Sequence, residues 1–288
     1  SSDVCSSDLE SNDNPWGYKF SWNPRNVILA GQGTAKYIQD GEYRYLPYSR
    51  LYTEVDTIEV DGFGSFDGYA NRDSLSYRKI YGLNTIPTML RGTLRQLGYC
   101  KAWNVFVQLG LTDDSYTVEN SEHITYAQLV QSLLPGHITG ITAAEKLAVF
   151  MNTDKSSEEI KMVEWTGIFE DKPIGLKNAT PAQILQHLLE QKWKLKEGDK
   201  DMIVMVHQFI IKSPEAGIRN LTSSLVAKGE GSIYTAMAKT VGLPAAIAAK
   251  NILNGSIKIR GVQVPVQKEI YEPVLKELKT FEIGRAHV

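Results

Sequence analysis

The chain has 288 residues, with 31 Lys and Arg against 33 Asp and Glu, and 42% of its residues are apolar. This composition is typical of a soluble globular protein. A net charge of −2 without any local basic run argues against a nucleic-acid partner. No apolar stretch reaches the roughly 18 residues of a membrane span. Two cysteines cannot form a disulfide framework, and the first residues lack a signal-peptide pattern, so we expect a cytoplasmic protein.

The two ends of the chain read as translated DNA of foreign origin. They are SSDVCSSDL at residues 1–9 and EIGRAHV at residues 282–288. One common sequencing adapter, read in its two orientations, can encode both segments, and such additions must be set aside before the fold is considered. We therefore expect native sequence from Glu10 to Phe281, truncated at its N-terminus. Cys5 and His287 then carry no functional argument.

The first part of the native segment, residues 14–120, reads mainly as strands and turns. The β-prone run TEVDTIEV at 53–60 is followed by the turn-forming DGFGSFDG. Two helical patches interrupt these strands, one near Val27–Gln39 and one at Tyr99–Leu109, where the apolar residues recur with helical spacing.

Successive amphipathic helices are predicted from 125 to 193. Thr125 with Gln128, Thr142 with Glu145 and Ser156 with Glu159 form capping-box patterns, and Thr180 precedes Pro181 as an N-cap. The last helix carries an apolar stripe formed by Ile184, Leu185, Leu188 and Leu189.

Strands resume after the charged linker EGDKD at 197–201. MIVMVHQFII at 202–211 predicts a strand buried on both faces, and IRNLTSSLVA at 218–227 predicts its hairpin partner across the turn SPEAG. A helix from about Ser232 to Lys250 and a short helix in EPVLKELKTF complete the chain. The fold class is α+β with a helical excursion.

Two glycine-rich segments are weak candidates for phosphate binding. VILAGQGTAK at 27–36 contains Gly31 and Gly33, but it lacks the third small residue and the βαβ unit of a dinucleotide fingerprint. KGEGS at 228–232 precedes a predicted helix, whose N-terminus can bind an anion. The structural interpretation, a turn or a helix entry, is favoured for both.

The strongest motif joins ANRDS at 70–74 with RGTLR at 91–95. It concentrates Arg72, Arg91 and Arg95 in a chain of low net charge, and Asp73 could hold one of these arginines. A guanidinium binds a carboxylate through two parallel hydrogen bonds, so the set could clamp a di- or tricarboxylate. The alternative is a group of surface salt bridges.

The other candidate residues give little evidence of a functional site. His207 in an apolar strand fits a hydrogen-bonded core residue better than a base, and no Ser-His-Asp elbow occurs. Trp16 and Trp22 could belong to the core or stack on a ligand. No metal site is predicted, because the metal-ligand spacings are missing among His123, His137, His187 and Cys100.

An ordered set of segments resembles the saccharopine dehydrogenase family, in particular its glutamate-forming saccharopine reductases. The resemblance covers nearly all of Glu10 to Phe281 and is weakest from 115 to 195. Its segments are NPWGYKFSWNPRNV (14–27), GYANRDS (68–74), RKIYGL (78–83), RGTLRQLGY (91–99), DMIVMVHQF (201–209), LTSSLVAKGEG (221–231) and TVGLPAAIAAKNILNGSIKIRGV (240–262).

The resemblance implies an enzyme with an NADP(H)-binding Rossmann domain, here missing, a mixed-sheet substrate domain similar to the C-terminal domain of glyceraldehyde-3-phosphate dehydrogenases, and an inserted all-helical subdomain. The corresponding ranges are 10–120 with 197–231 for the substrate domain, 121–196 for the helical subdomain, and 232–281 for helices that return toward the nucleotide domain. A homodimer is also implied.

Residue roles follow from the same resemblance. Arg72, Thr93, Leu94 and Arg95 match saccharopine contacts, Trp22 would lie beside the ligand, and no general base can be named. Asn23, Pro24 and Arg25 fall where the family approaches NADP, although small serines are often found there. The implied reaction interconverts saccharopine with glutamate and 2-aminoadipate semialdehyde by hydride transfer. The alternatives are oxidation of another amino-acid-derived amine or polyamine, and a non-catalytic carboxylate-binding or dimerisation module.

Overall fold

The computed structural model describes residues 2–7, 12–214 and 217–283. A six-stranded sheet has the strand order β4-β5-β6-β1-β7-β8, and a separate hairpin pairs β2 with β3. Strand β1 is parallel to β6, and the other neighbouring strands are antiparallel. The strands are β1 (Ser2–Ser7), β2 (Thr34–Gln39), β3 (Glu42–Pro47), β4 (Val55–Val60), β5 (Gly64–Ala70), β6 (Gly92–Gln96), β7 (Asp201–Ser213) and β8 (Gly217–Lys228).

Ten α-helices occur in the described part of the chain, four of them in the central block. They are α1 (Pro24–Ile28), α2 (Tyr48–Leu51), α3 (Ser76–Ile80), α4 (Tyr99–Gln108), α5 (Tyr126–Leu133), α6 (Ala143–Phe150), α7 (Glu158–Trp165), α8 (Pro181–Trp193), α9 (Ala236–Leu253) and α10 (Lys268–Leu278), followed by a 3₁₀ turn at Lys279–Phe281. The α+β fold class is thus confirmed, with a mixed sheet.

Local signals determined most of these elements. The capping boxes at Thr125 and Thr142 form as predicted, and Thr180 caps α8 with Gln183 completing a third box. Helix α4 and the hairpin of β7 and β8 also lie where the sequence predicts them. The central turn residues 215 and 216 lie outside the described residues, as do residues 284–288.

Two local predictions are wrong. The helix predicted at Val27–Gln39 ends at Ile28, because Gly31 and Gly33 adopt positive φ angles of 80° and 94° and the chain continues as β2. Ser156 does not cap α7 either, because Ser157 holds the N-cap position. The Glu159 carboxylate instead accepts a 2.8 Å hydrogen bond from the Thr153 hydroxyl.

The largest core is built from aromatic side chains contributed by both the strand-rich part and the helical block. Trp16 is fully buried, packs edge-on against Trp193 at 5.3 Å between ring centroids, and stacks on Phe106 at 5.6 Å. Its Nε1–H donates a 2.8 Å hydrogen bond to the Met162 carbonyl of α7. Trp16 is therefore a core residue, and a single buried cluster joins the sheet to helices α4–α8. The division into domains stays a prediction.

The opposite face of the sheet carries a smaller apolar cluster. Phe66 of β5, Leu94 of β6 and Val204 of β7 are fully buried within it. The prediction that strand 202–211 is buried on both faces holds only for its first half, because Phe209, Ile210 and Ile211 are 47%, 80% and 47% exposed. Within β7, strand β1 pairs with residues 201–206, so the outer half of the β7–β8 hairpin extends beyond β1.

Strand β1 falls within the segment predicted to be of foreign origin. Its backbone pairs with both β6 and β7, from Ser2 opposite Val206 to Ser7 opposite Asp201. This pairing reflects backbone geometry and does not depend on where the segment came from, so the predicted origin stays a prediction.

Candidate functional site

The ANRDS motif forms a loop clamped between two other segments. The Lys36 N–H donates to the Arg72 carbonyl and the Ser74 N–H donates to the Lys36 carbonyl, both at 2.8 Å. On the other side, the Asn71 N–H donates to the Arg91 carbonyl at 2.8 Å, and the Arg91 N–H donates to the Ser74 hydroxyl oxygen at 2.9 Å. Four hydrogen bonds thus fix residues 71–74 against β2 and against the start of β6.

Arg72 adopts an unusual backbone conformation in this loop. Its φ angle is +47°, in the left-handed region that non-glycine residues rarely adopt. Among the described residues, the other non-glycine positions with positive φ are Asp40, Asn120, Asn152, Asn178 and Glu282. Asn and Asp tolerate this region, whereas Arg has no comparable local compensation. The clamp therefore holds a strained conformation that directs the exposed Arg72 side chain outward.

Strand β6 separates the residues of GTLR onto two faces of the sheet. Thr93 and Arg95 share the face that packs toward the aromatic core, because successive side chains of a strand alternate. Leu94 is fully buried on the other face, in the cluster with Phe66 and Val204. The Leu94 side chain therefore cannot share a ligand with Thr93 and Arg95, which leaves its backbone for any contact.

Arg95 lies against two tyrosine rings. Its guanidinium carbon is 5.2 Å from the ring centroid of Tyr18 and 5.4 Å from that of Tyr99, and the residue is only 5% exposed. Both contacts fall within cation–π range. Asp67 of β5 stands opposite Arg95 in the strand register. Burial raises the pKa of the Asp67 carboxyl, although the N–H groups of Cys100 and Gly98 partly offset this effect.

The two arginines that match saccharopine contacts lie toward opposite ends of β6, Arg72 in the loop that follows β5 and Arg95 on β6 itself. Ala70 pairs with Gly92 at the first end, and Arg72 follows Ala70 after one residue, while Arg95 lies three residues beyond Gly92. Three residues of strand span about 10 Å, so the backbone positions of the two arginines are separated by roughly that length along the strand direction. Thr93 lies between them. This arrangement suits an elongated ligand with acidic groups near both ends.

The neighbouring charged residues have structural partners. The Arg91 guanidinium lies over the Tyr77 ring, 4.1 Å from its centroid. The Asp73 carboxylate accepts hydrogen bonds from the N–H groups of Leu75 and Ser76 at 2.9 and 3.2 Å. In the part of the chain that the structure describes, Asp73 forms no ion pair with an arginine, so the role proposed for it in holding one is wrong.

Trp22 and the three residues after it form the entry to α1. Trp22 is 39% exposed, so it remains available for stacking, unlike Trp16. The Asn23 side-chain oxygen caps α1 by accepting a 3.0 Å hydrogen bond from the Arg25 N–H, and Pro24 occupies the first helical position. The Arg25 guanidinium forms an ion pair with Asp114. The residues predicted to approach NADP are therefore engaged in capping α1 and in an ion pair with Asp114.

Asp201 is a buried carboxylate that sequence reasoning missed. It is 1% exposed and accepts hydrogen bonds from the N–H groups of Ala236 and Met237 at 2.6 and 3.1 Å, at the N-terminus of α9. Burial raises the pKa of its carboxyl despite these donors and the Ser21 hydroxyl. Thr235 caps the same helix through the Ala238 N–H. The KGEGS segment thus precedes a helix N-terminus whose first donors are already paired with protein groups.

The remaining candidates do not converge on this face. Gly31 and Gly33 lead into a strand, so they form a turn and not a phosphate-binding helix entry. His207 is half-buried and stacks on Phe209 of the outer hairpin at 6.2 Å. Among the described residues, no three His, Cys, Asp or Glu side chains cluster as metal ligands would. None of the described helices has both the length and the apolar character that crossing a membrane requires.

Comparison with known proteins identifies the family. The family model described as "Saccharopine dehydrogenase C-terminal domain" matches residues 6–283. The chain belongs to the saccharopine dehydrogenase family. A solved structure with a similar fold is "Apo histidine-tagged saccharopine dehydrogenase (L-Glu forming) from Saccharomyces cerevisiae", which has a TM-score of 0.83 and 30% sequence identity. This match covers 99% of the chain and 66% of the yeast chain.

Curated relatives in the family match over similar lengths. The rat protein "Alpha-aminoadipic semialdehyde synthase, mitochondrial" is 38% identical over 279 residues, which are 94% of this chain and 30% of the rat protein. "Saccharopine dehydrogenase [NADP(+), L-glutamate-forming]" from Pyricularia oryzae is 32% identical over 277 residues, which are 94% of this chain and 61% of that protein. The chain therefore spans between about a third and two thirds of these relatives.

Proposed function

We propose that this chain forms the substrate-binding part of an oxidoreductase that interconverts saccharopine with glutamate and 2-aminoadipate semialdehyde in lysine metabolism. The observation that carries the proposal is the arrangement around β6: Arg72 lies in the loop beside the Gly92 end, Arg95 lies near the other end, and Thr93 lies between them. Saccharopine is an elongated molecule with three carboxylates around one secondary amine. A ligand of that shape uses both arginines, whereas a polyamine would be repelled by them.

The role of each residue follows from this arrangement around β6. Arg72 and Arg95 would each bind a carboxylate, the Thr93 hydroxyl would donate to a ligand oxygen, and Leu94 would contribute only backbone atoms. Trp22, exposed at the entry to α1, would cover one side of the ligand. These residues bind and orient the substrate, and the described part of the chain offers no evident general base.

NADP is the proposed cofactor, because the fungal relatives are named as NADP(+)-dependent saccharopine dehydrogenases. When bound, it exchanges a hydride with the carbon next to the amine nitrogen. The described residues do not form its main site, because neither glycine-rich segment has the strand–glycine-loop–helix geometry that dinucleotides require. Asn23, Pro24 and Arg25 would at most border the cofactor.

Substitution of Arg72 tests the proposed function. In isothermal titration of this chain with saccharopine, Arg72→Gln should weaken affinity about 20-fold, since a hydrogen-bonded charge contact contributes about 1.5–3 kcal/mol. Arg91→Gln is the matched control, because its guanidinium already lies over Tyr77, and it should change affinity less than about twofold. Spermidine and lysine should bind more weakly than saccharopine. Equal binding of spermidine and saccharopine, or no saccharopine binding at all, would overturn the proposal.

The exposed surfaces support further proposals about architecture. Helix α9 presents Val241, Ile252 and Leu253 at 63%, 58% and 87% exposure, together with exposed alanines. Such a face suits close packing against another domain, in agreement with the predicted return of residues 232–281 toward a nucleotide-binding domain. We also propose that the central helices form an inserted subdomain and that the sheet domain is similar to the C-terminal domain of glyceraldehyde-3-phosphate dehydrogenases. The proposed location is cytoplasmic, although the rat relative is named mitochondrial.

The outer hairpin of β7 and β8 would contribute to a homodimer. Ile210 and Ile218 are 80% and 70% exposed near its tip. Ile210→Lys should shift sedimentation of this chain toward the monomer, because it places a charge in an apolar contact. Ile141→Lys, at a residue 95% exposed in the helical block, is the control and should leave the sedimentation unchanged. An unchanged profile for Ile210→Lys would exclude this hairpin as the dimer contact.

A further inference from the structure

Ser74 is the one side chain in the clamp that holds the Arg72 loop. The other three hydrogen bonds that fix residues 71–74 join backbone groups to Lys36 and Arg91. Only the bond from the Arg91 N–H to the Ser74 hydroxyl oxygen, at 2.9 Å, depends on a side chain. Ser74 is 1% exposed, so no water can replace its hydroxyl without a rearrangement of the loop.

The position of this hydrogen bond links two parts of the candidate site. Ser74 lies two residues after Arg72, and Arg91 directly precedes β6, which carries Thr93 and Arg95. Together with the backbone bond between Asn71 and Arg91, this bond therefore fixes the spacing between the Arg72 loop and Arg95 on β6. The backbone bonds to Lys36 fix the loop against β2, and the Asn71 N–H joins the loop to the Arg91 carbonyl on the side before Arg72. The Ser74 bond is the link to Arg91 on the side after Arg72.

The strain at Arg72 makes the loop sensitive to the loss of this bond. A left-handed φ angle in a residue other than glycine persists only when the surrounding contacts enforce it. If the Ser74 hydroxyl is removed, the Arg91 N–H loses its partner. Residues 72–74 can then move relative to the start of β6, while the Asn71 bond to Arg91 and the pairing of β5 with β6 stay in place. Arg72 can then relax toward a right-handed conformation, which moves its exposed guanidinium.

We propose that Ser74 is a positioning residue, which holds the Arg72 guanidinium at the distance from Thr93 and Arg95 that an elongated polycarboxylate requires. This inference rests on the proposed function, because it assumes that Arg72 binds a carboxylate of the ligand. Ser74 itself has no contact with the ligand in this arrangement.

A double-mutant cycle tests this inference by isothermal titration of the chain with saccharopine. Ser74→Ala should weaken affinity about tenfold, and Arg72→Gln about 20-fold. Because Ser74 acts through Arg72, the double variant should bind no more weakly than Arg72→Gln alone. Two independent effects would multiply to a loss of about 200-fold, and that result would overturn the inference.

Ser121→Ala is the matched control for a purely structural loss. Ser121 is also fully buried, and its hydroxyl accepts a 3.1 Å hydrogen bond from the Ala179 N–H in the helical block. Both alanine variants should lower stability in urea, but only Ser74→Ala should weaken saccharopine binding. In amide NMR spectra, the Arg91 N–H resonance should shift in Ser74→Ala and stay in place in Ser121→Ala.

The outcomes separate this inference from the proposed function. If Arg72→Gln leaves saccharopine affinity unchanged, the proposed function fails at its main residue. If Arg72→Gln weakens binding while Ser74→Ala does not, the proposed function stands and the positioning role of Ser74 is wrong. If Ser74→Ala and Ser121→Ala weaken saccharopine binding equally, the positioning role is also contradicted, because the loss of stability alone would then explain the weaker binding.

Discussion

Replacement of Lys19 by methionine should lower the free energy of unfolding by about 3 kcal/mol, since removing one member of a buried ion pair leaves the other uncompensated. The Lys19 side chain is 1% exposed, and its ammonium group forms ion pairs with Asp199 at 2.7 Å and Asp13 at 2.9 Å. These contacts tie the N-terminal segment, 180 residues away in sequence, to the loop before β7. Urea denaturation of the variant and the parent chain measures the difference.

Lys196→Met is the matched control for Lys19→Met. Lys196 pairs with the same Asp13 carboxylate at 2.7 Å, but its side chain is 69% exposed. An exposed pair contributes at most about 1 kcal/mol, so this variant should be nearly as stable as the parent. If both variants lose the same stability, burial of Lys19 is not the source of the effect.

The ion pairs of Lys19 also predict how stability depends on pH. Hydrogen bonds from Lys196 and Lys19 lower the pKa of Asp13 from its ordinary 3.8 to about 2. A lowered pKa means that this stabilisation is present above pH 3.8 and is lost as pH falls toward 2. Unfolding midpoints measured across this range should therefore fall more steeply for the parent than for Lys19→Met.

The same linkage operates at alkaline pH with the opposite sign. Burial disfavours the charged form of Lys19, but the hydrogen bonds and charges of Asp199 and Asp13 outweigh burial and raise its pKa. A raised pKa means that stabilisation is present below the ordinary value of 10.5 and is lost as pH rises through the value in the folded state. Lys19→Met should lack this alkaline loss. Identical alkaline profiles for parent and variant would contradict the assignment.

Gly229→Ala is expected to destabilise the chain by about 3 kcal/mol, at the upper end of overpacking effects. A Cβ atom at Gly229 would lie 2.2 Å from Asp201 Oδ1 and 2.9 Å from the Ala236 backbone nitrogen. Both are much closer than real Cβ contacts. The added methyl group must displace the Asp201 carboxylate from the N-terminus of α9, and the N–H groups of Ala236 and Met237 then lose their acceptor.

Gly242→Ala is a control that should change the stability of the chain in the opposite direction. Gly242 lies in α9, and a Cβ atom there would meet no heavy atom within 4 Å. Because alanine favours the helix over glycine by up to about 1 kcal/mol, this variant should be more stable than the parent. Thermal unfolding followed by circular dichroism distinguishes the two glycines. Equal effects of the two substitutions would show that the close approach to Asp201 is unimportant.

Several elements were predictable because their causes are local. The capping boxes at Thr125 and Thr142 place a polar acceptor and its partner three residues apart, and each closes within one helical turn. The prediction of a helix over Val27–Gln39 failed because apolar spacing alone does not reveal where two glycines take positive φ angles. The run TAKYIQ is compatible with either structure, and pairing with β3 makes it a strand.

The residues of the candidate site come from the sequence, and their roles stay predictions; their geometry comes from the structure. The resemblance to the family singled out Arg72, Thr93, Leu94 and Arg95, but only the sheet register shows that Leu94 faces away from the others. Ser74 lies in the ANRDS motif, but the sequence predicts no role for it, because its partner Arg91 lies 17 residues further along the chain. Likewise, no sequence pattern predicted that Tyr18 and Tyr99 contact Arg95.

The sequence by itself determined the fold class, the starts of α5, α6 and α8, the β7–β8 hairpin and the family, because each depends on neighbouring residues or on an ordered set of motifs. The tertiary structure alone decided which charges are buried. Lys19 contacts Asp199, and Asp201 caps a helix that begins 35 residues later. These contacts join distant segments, and a buried charge persists only where folding brings its partners to it.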